Sequence, residues 1–160
     1  MLLSEVTQMA NTLLAEHGLK QRGWIFDFDN AVSRCGCCRY RSRIITLSKH
    51  YATLNNEANV KDTILHEIAH ALVGPGHGHD HVWKAKAIEI GCKGYRCKSE
   101  DTHEGFVTIP TKYIATCNSC KTNHFKNRLS KRISSCGRCS NTFNPSLILR
   151  FRLNVDKLTK

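Results

Sequence analysis

The segment Asp62-Thr63-Ile64-Leu65-His66-Glu67-Ile68-Ala69-His70-Ala71-Leu72 decides how this chain is read. Val60, Ile64, Ile68 and Leu72 recur every four residues, which places one apolar stripe along a helix. The pattern predicts a helix over 57–73, stopped by Gly74-Pro75-Gly76. On that helix His66 and His70 share a face, so both imidazoles can reach one metal ion. Glu67 sits next to the first of them, in reach of water beside the metal rather than the metal itself. Burial of the stripe turns the histidine face towards a cleft. The chemistry expected there is that of a catalytic zinc with one open position. Such an ion acidifies its water towards a pKa of about 7 and polarises a peptide carbonyl. Glu67 is then the general base and returns the proton to the leaving amine.

A catalytic zinc takes three protein ligands. The loop Gly76-His77-Gly78-His79-Asp80-His81-Val82-Trp83 offers three histidines for the third place. The extended metzincin pattern needs Gly at position 73 and His at 76; Val73 and Gly76 stand there, and that class is excluded. A short glycine-rich turn instead swings the chain back, so the third ligand lies at the start of the next helix.

Outward from this centre, Leu2, Leu3, Val6, Met9, Ala10, Leu13 and Leu14 mark an N-terminal helix over 2–17, with Gly18 as its stop. Trp24, Phe26 and Phe28 alternate as a strand, and Asp29-Asn30 favours a turn. Tyr40 and Ile44-Ile45-Thr46-Leu47 suggest one or two more strands. A last helix over 81–91 carries Val82, Trp83, Ala87 and Ile90 on one side. This order predicts an α+β domain over residues 1–108. Residues 109–160 form a second module, closed by a strand through Phe143, Leu147-Ile148-Leu149, Phe151 and Leu153.

The second module holds Cys117-x-x-Cys120 and Cys136-x-x-Cys139, fifteen residues apart. Two such knuckles supply four thiolates to a tetrahedral Zn²⁺, and four protein ligands leave no position for water. This zinc is therefore expected to be structural, holding together a module too small to bury much core. Cys35, Cys37, Cys38, Cys92 and Cys97 are spaced irregularly; buried free thiols are the expected reading, with a second structural zinc as the alternative.

Charge is unevenly shared. Residues 1–110 hold 13 Lys/Arg against 12 Asp/Glu, whereas residues 111–160 hold 11 against Asp156 alone. Such a segment attracts phosphate backbones and gains affinity by releasing their counterions. Lys121, Lys126, Arg128, Lys131, Arg132 and Arg138 are the candidate contacts, with a plain solvated tail as the alternative. Phe125 stands among them, either to stack on an unpaired base or to pack the module's small core, the latter slightly favoured. No stretch reaches the roughly 20 apolar residues of a membrane span. The N-terminus lacks the basic and apolar blocks of a secretory signal, so the expected compartment is the cytoplasm. Nine cysteines without a signal favour metal binding over disulfides.

From Asp62 to Trp83, and on through the Cys-rich module, the chain resembles the SprT-like family of SprT and Spartan proteases. There the His-Glu-x-x-His helix is followed by His-Gly-x-x-aromatic, whose His completes the zinc site. His79-Asp80-His81-Val82-Trp83 is similar at the His and the aromatic and has Asp80 in place of Gly. The resemblance implies a zincin-like domain with His66, His70 and His79 on a catalytic zinc and Glu67 as base. It further implies a four-cysteine zinc ribbon with a structural zinc, and cleavage of proteins bound or crosslinked to DNA. DNA is the implied partner, single-stranded DNA being one form it could take; a monomer is the default expectation, nucleoid-associated in a bacterium or phage and nuclear in a eukaryote. The rival readings are a non-enzymatic zinc-ribbon module for nucleic acid or transcription, and a metallohydrolase with a non-peptide substrate.

Overall fold

The computed structural model describes residues 1–96 and 103–154. The chain divides into two compact units, residues 1–109 and 110–160, each with its own core. The first is α+β. Helix α1 (Leu3–Glu16) leads into β1 (Ile25–Asp29), β2 (Gly36–Arg39) and β3 (Ile44–Ser48). Helices α2 (Lys49–Leu54), α3 (Glu57–Val73) and α4 (His81–Glu89) follow.

Helix α1 buries Val6, Ala10, Leu13 and Leu14, the stripe its sequence marks out. It ends where Gly18 takes φ +68°, a left-handed value that glycine adopts without a Cβ clash. The sheet order is β1-β3-β2, with β3 central, parallel to β1 and antiparallel to β2. Phe28 lies opposite Leu47 and Cys38 opposite Ile45. Strand β2 is an edge and packs on α3. Tyr40, expected in a strand, instead begins the turn between β2 and β3. The Asp29-Asn30 turn forms, with the Ala31 amide donating to Asp29 Oδ1 at 2.9 Å.

Helix α3 is the axis of this unit. Asn56 caps it by accepting from the Asn59 amide, and Val60, Ile64 and Ile68 are fully buried against α1 and the sheet. Each such side chain contributes roughly 1.5–3 kcal/mol through burial. Helix α2 is absent from the sequence reading, because Lys49-His50-Tyr51-Ala52-Thr53-Leu54 is too short to show a period. It is fixed by the buried Tyr51, whose hydroxyl donates to the Asn59 carbonyl and accepts from Thr63 Oγ1, both at 2.9 Å. After α4 the chain returns across α3, where His103 is buried against Asp62.

The second unit contains β4 (Tyr113–Thr116), β5 (Asn123–Lys126) and β6 (Arg152–Leu153) in the order β5-β4-β6. Its core is Ala115, Cys117, Cys136 and Leu149, with Leu147 and Phe151 packed beside them. The closing strand expected from Phe143 to Leu153 is much shorter. Pro145, with no amide hydrogen and a fixed φ, opens a 3-10 turn over Pro145–Leu147, and Ile148 makes one isolated bridge to Ser135. Phe125 is 49% exposed and lies outside the core, against the favoured expectation. Phe143 is exposed as well. Among the described residues no helix is long and apolar enough to cross a membrane.

Candidate metal centres

Helix α3 presents His66 and His70 one turn apart, and their Nε2 atoms lie 3.0 and 3.2 Å from His79 Nε2. An ion with tetrahedral nitrogen ligands at roughly 2.0–2.1 Å sets those nitrogens roughly 3.3 Å apart. Three lone pairs so close repel one another unless protons or a cation sit between them. Burial, with the nearby His79 adding to it, pushes His70 down to about 4, so its imidazole is neutral and ready to bind a cation at neutral pH. The donor set and its spacing therefore fit zinc.

His79 reaches this position through backbone chemistry. Gly74 and Gly76 take φ +84° and +105° and turn the chain back across the end of α3. Asp80 then caps α4, accepting the Trp83 amide at 3.0 Å and facing His77 Nδ1 at 2.9 Å. Asp80, the departure from the family pattern, thus starts the helix and holds His77 aside. His77 and His81 stay out of the three-histidine group, and His79 completes it. Trp83, 1% exposed, packs its ring within 4.6–5.2 Å of all three imidazole centroids and fixes their directions.

Glu67 lies on the same cleft, a cavity of about 650 Å³ shared with His66, His70, His79, Tyr40 and Cys38. The residue is buried, 7% exposed, with its side chain under the edge strand β2. Gly36 makes that approach possible: a Cβ there would stand 2.9 Å from Glu67 Oε1. Sequence reasoning passed over Gly36, although a glycine between apolar strands can signal such a close backbone approach. Burial, with Glu67 beside it, pushes the Cys38 thiol up to about 12, and burial with Cys38 and Glu67 does the same to Tyr40. Both keep their protons.

In the second unit Cys117, Cys120, Cys136 and Cys139 converge. Cys117 and Cys139 sulfurs are 3.9 Å apart, and Cys120 and Cys136 sulfurs 3.7 Å. Zinc with four thiolates at roughly 2.3 Å requires about 3.8 Å. Hydrogen bonding with Thr122 pulls the Cys120 thiol down to about 6, while the hydrogen bond to Cys120 pushes Cys139 up to about 12, so without a cation the cluster shares its protons unevenly. His124 Nε2 lies 3.2 Å from Cys136 Sγ, a contact no spacing rule announced. Of the other cysteines, Cys35, Cys37 and Cys38 are half-buried along the cleft, and Cys92 is buried with its Sγ 3.6 Å from the Asp62 carbonyl. Among the described residues they join no third metal-binding group; Cys97 lies outside those residues.

The candidate nucleic-acid contacts divide. Lys121, Arg128, Lys131, Arg132 and Arg138 are exposed and Lys126 is half-buried. Lys126 lies 4.4 Å from the Phe151 ring centroid and donates to Ser134 Oγ at 3.0 Å. Lys121 donates to the Asn118 carbonyl and Arg138 to Thr122 Oγ1.

Two histidines of one helix and a third from the loop after it, beneath an edge strand and with a carboxylate in the same cleft, fit a metalloprotease-type domain. The sequence model of the SprT-like family matches residues 3–103, and this chain belongs to that family. Comparison with curated proteins and with solved structures finds no match.

Proposed function

We propose that the protein is a zinc-dependent endopeptidase acting on proteins bound or crosslinked to DNA, with Glu67 as its general base. One observation carries the peptidase reading: three imidazole nitrogens converge on one point, and the buried Glu67 carboxylate lines the same cleft. Zinc held by His66, His70 and His79 would supply a Lewis acid that acidifies water and polarises the scissile carbonyl. Glu67 accepts the proton of the attacking water and returns it to the leaving amine. Trp83 keeps the imidazoles in one arrangement, and protonated Tyr40 offers a hydroxyl donor on the cleft wall. A second zinc, held by Cys117, Cys120, Cys136 and Cys139, would be structural. The DNA half of the proposal rests on the charge of residues 111–160 and the exposed Arg128, Lys131 and Arg132. Holding DNA raises the local concentration of protein attached to it, so the cleft needs little side-chain preference.

The test is cleavage of a DNA-binding protein by wild type and Glu67→Gln, each with and without single-stranded DNA. Loss of cleavage in a variant that keeps its zinc, together with stimulation of wild type by DNA, is the expected result. Cleavage indifferent to DNA would remove the nucleic acid and leave the peptidase. No cleavage by a zinc-loaded wild type would remove the peptidase.

A further inference from the structure

Beside the catalytic cleft, and sharing Tyr40 and Pro75 with it, the first unit has an open groove of about 670 Å³. Its walls are Arg22, Arg41 and Arg43, over Trp24 and Tyr40, and no carboxylate lines it. The arginines come from two loops, Arg22 from the α1–β1 connection and the others from the β2–β3 turn. Two other arginines of this unit, Arg34 and Arg39, share Asp29 as an ion-pair partner. Among the described residues Arg22, Arg41 and Arg43 belong to no ion pair, and all three are exposed.

The cluster is also built into the backbone. Arg43 takes φ +51°, a left-handed conformation that a side chain rarely adopts. Its Nη1 donates to the Arg22 carbonyl at 2.9 Å and its own carbonyl accepts from the Ile25 amide at 3.0 Å. The strained residue thus locks the two loops together and holds three like charges around one groove. Like charges so gathered, without an acid between them, are stabilised by an external anion. One carboxylate saturates a single guanidinium fork; three guanidiniums around an open groove match a repeating anion.

We infer that this groove is a phosphodiester-binding site on the catalytic unit, formed by Arg22, Arg41 and Arg43. The inference deepens the proposed function and rests on its nucleic-acid half. Tyr40 and Pro75 line both the groove and the catalytic cleft, so a strand held there passes beside Glu67. A protein attached to that strand is delivered next to the base that would cut it.

The experiment measures binding of the full zinc-loaded chain to a labelled oligothymidylate, with affinity followed across roughly 50–200 mM salt. The proteins are wild type, R22Q/R41Q, R22Q/R41Q/R43Q and the ribbon variant K131E/R132E. Each phosphate contact on a single strand contributes about 0.7 to the salt slope, so R22Q/R41Q should lower it by about 1.4 and the triple variant by about 2. R22Q/R41Q keeps the Arg43 bond between the loops and decides the matter if the triple variant unfolds. Polyglutamate is the competing probe and should displace the strand no better from wild type than from R22Q/R41Q. An unchanged slope in R22Q/R41Q, with K131E/R132E weakened, overturns the groove and leaves the nucleic-acid reading standing. Polyglutamate displacing the strand from wild type alone overturns it in favour of acidic peptide. No binding by wild type overturns both.

Discussion

Substituting Gly36 with alanine tests the placement of Glu67, the proposed base, without touching it. The new Cβ would stand 2.9 Å from Glu67 Oε1, 3.0 Å from its Cγ and 3.2 Å from its Cδ. Comfortable carbon contacts begin at about 3.5 Å, so the strand and the carboxylate must part by roughly 0.5 Å. Strand β2 is held by its pairing, Gly36 opposite the fully buried Leu47, and Glu67 is rooted in α3. The displacement therefore falls mainly on the carboxylate. A misplacement of about 1 Å can cost on the order of 10²-fold in rate, so half of it costs on the order of tenfold, about 1.4 kcal/mol. Gly36→Ala should lower kcat/KM by about that factor, mostly through kcat, with zinc content unchanged. Steady-state cleavage of a fluorogenic protein substrate, beside metal analysis, reads both. A variant as active as wild type, or one whose deficit matches lost zinc, refutes the reasoning.

Three further outcomes are expected. Chelation should melt the ribbon and spare the first unit: a structural zinc is worth roughly 10–16 kcal/mol to a small module, while α1 and α3 rest on their own apolar core. Far-UV circular dichroism should keep its helical signal as ribbon amides lose exchange protection, and uniform loss would contradict this. His103→Ala should destabilise the first unit by roughly 2–4 kcal/mol, because Asp62 stays buried without the imidazole 2.9 Å away; an unchanged urea midpoint would refute it. Asp29 gives a pH signature. Burial opposes its ionisation, but the Ala31 amide, the Thr46 hydroxyl and Arg34 outweigh burial and hold its carboxyl below the usual value of 3.8. A depressed folded pKa gives stability that is complete above 3.8 and lost as pH falls through the folded value. The gap in melting temperature between wild type and Asp29→Asn should therefore be constant above that pH and close below it, and a gap that stays open under acid would exclude the effect.

Much of the first unit was legible because its long helices declare themselves. The stripe of Val60, Ile64 and Ile68 gave α3 with its bounds, and Gly18 and Gly74 marked real helix ends. Short elements were not legible. Helix α2, the ribbon strands β4 and β5, and the collapse of the closing strand at Pro145 depend on partners distant in sequence. Phe125 was misjudged for the same reason, since a core of four buried residues leaves most apolar side chains of the ribbon outside.

At the two candidate metal centres, sequence alone determined which donors exist and which are locally paired. His66 and His70 are bound to one face by helical geometry, and each Cys-x-x-Cys by its turn. Tertiary structure decided the rest. It chose among His77, His79 and His81, because two left-handed glycines and the Asp80 cap aim one imidazole at the helix and hold another aside. It put Gly36 against Glu67 and Trp83 behind His66 and His70, contacts between residues about 13 to 31 positions apart that no local period encodes. It also gathered Arg22, Arg41 and Arg43, scattered basic residues in the sequence, into one groove. A chain fixes its neighbours along the backbone through bond geometry; it fixes neighbours across the fold only once the core has closed and the loops have been tied.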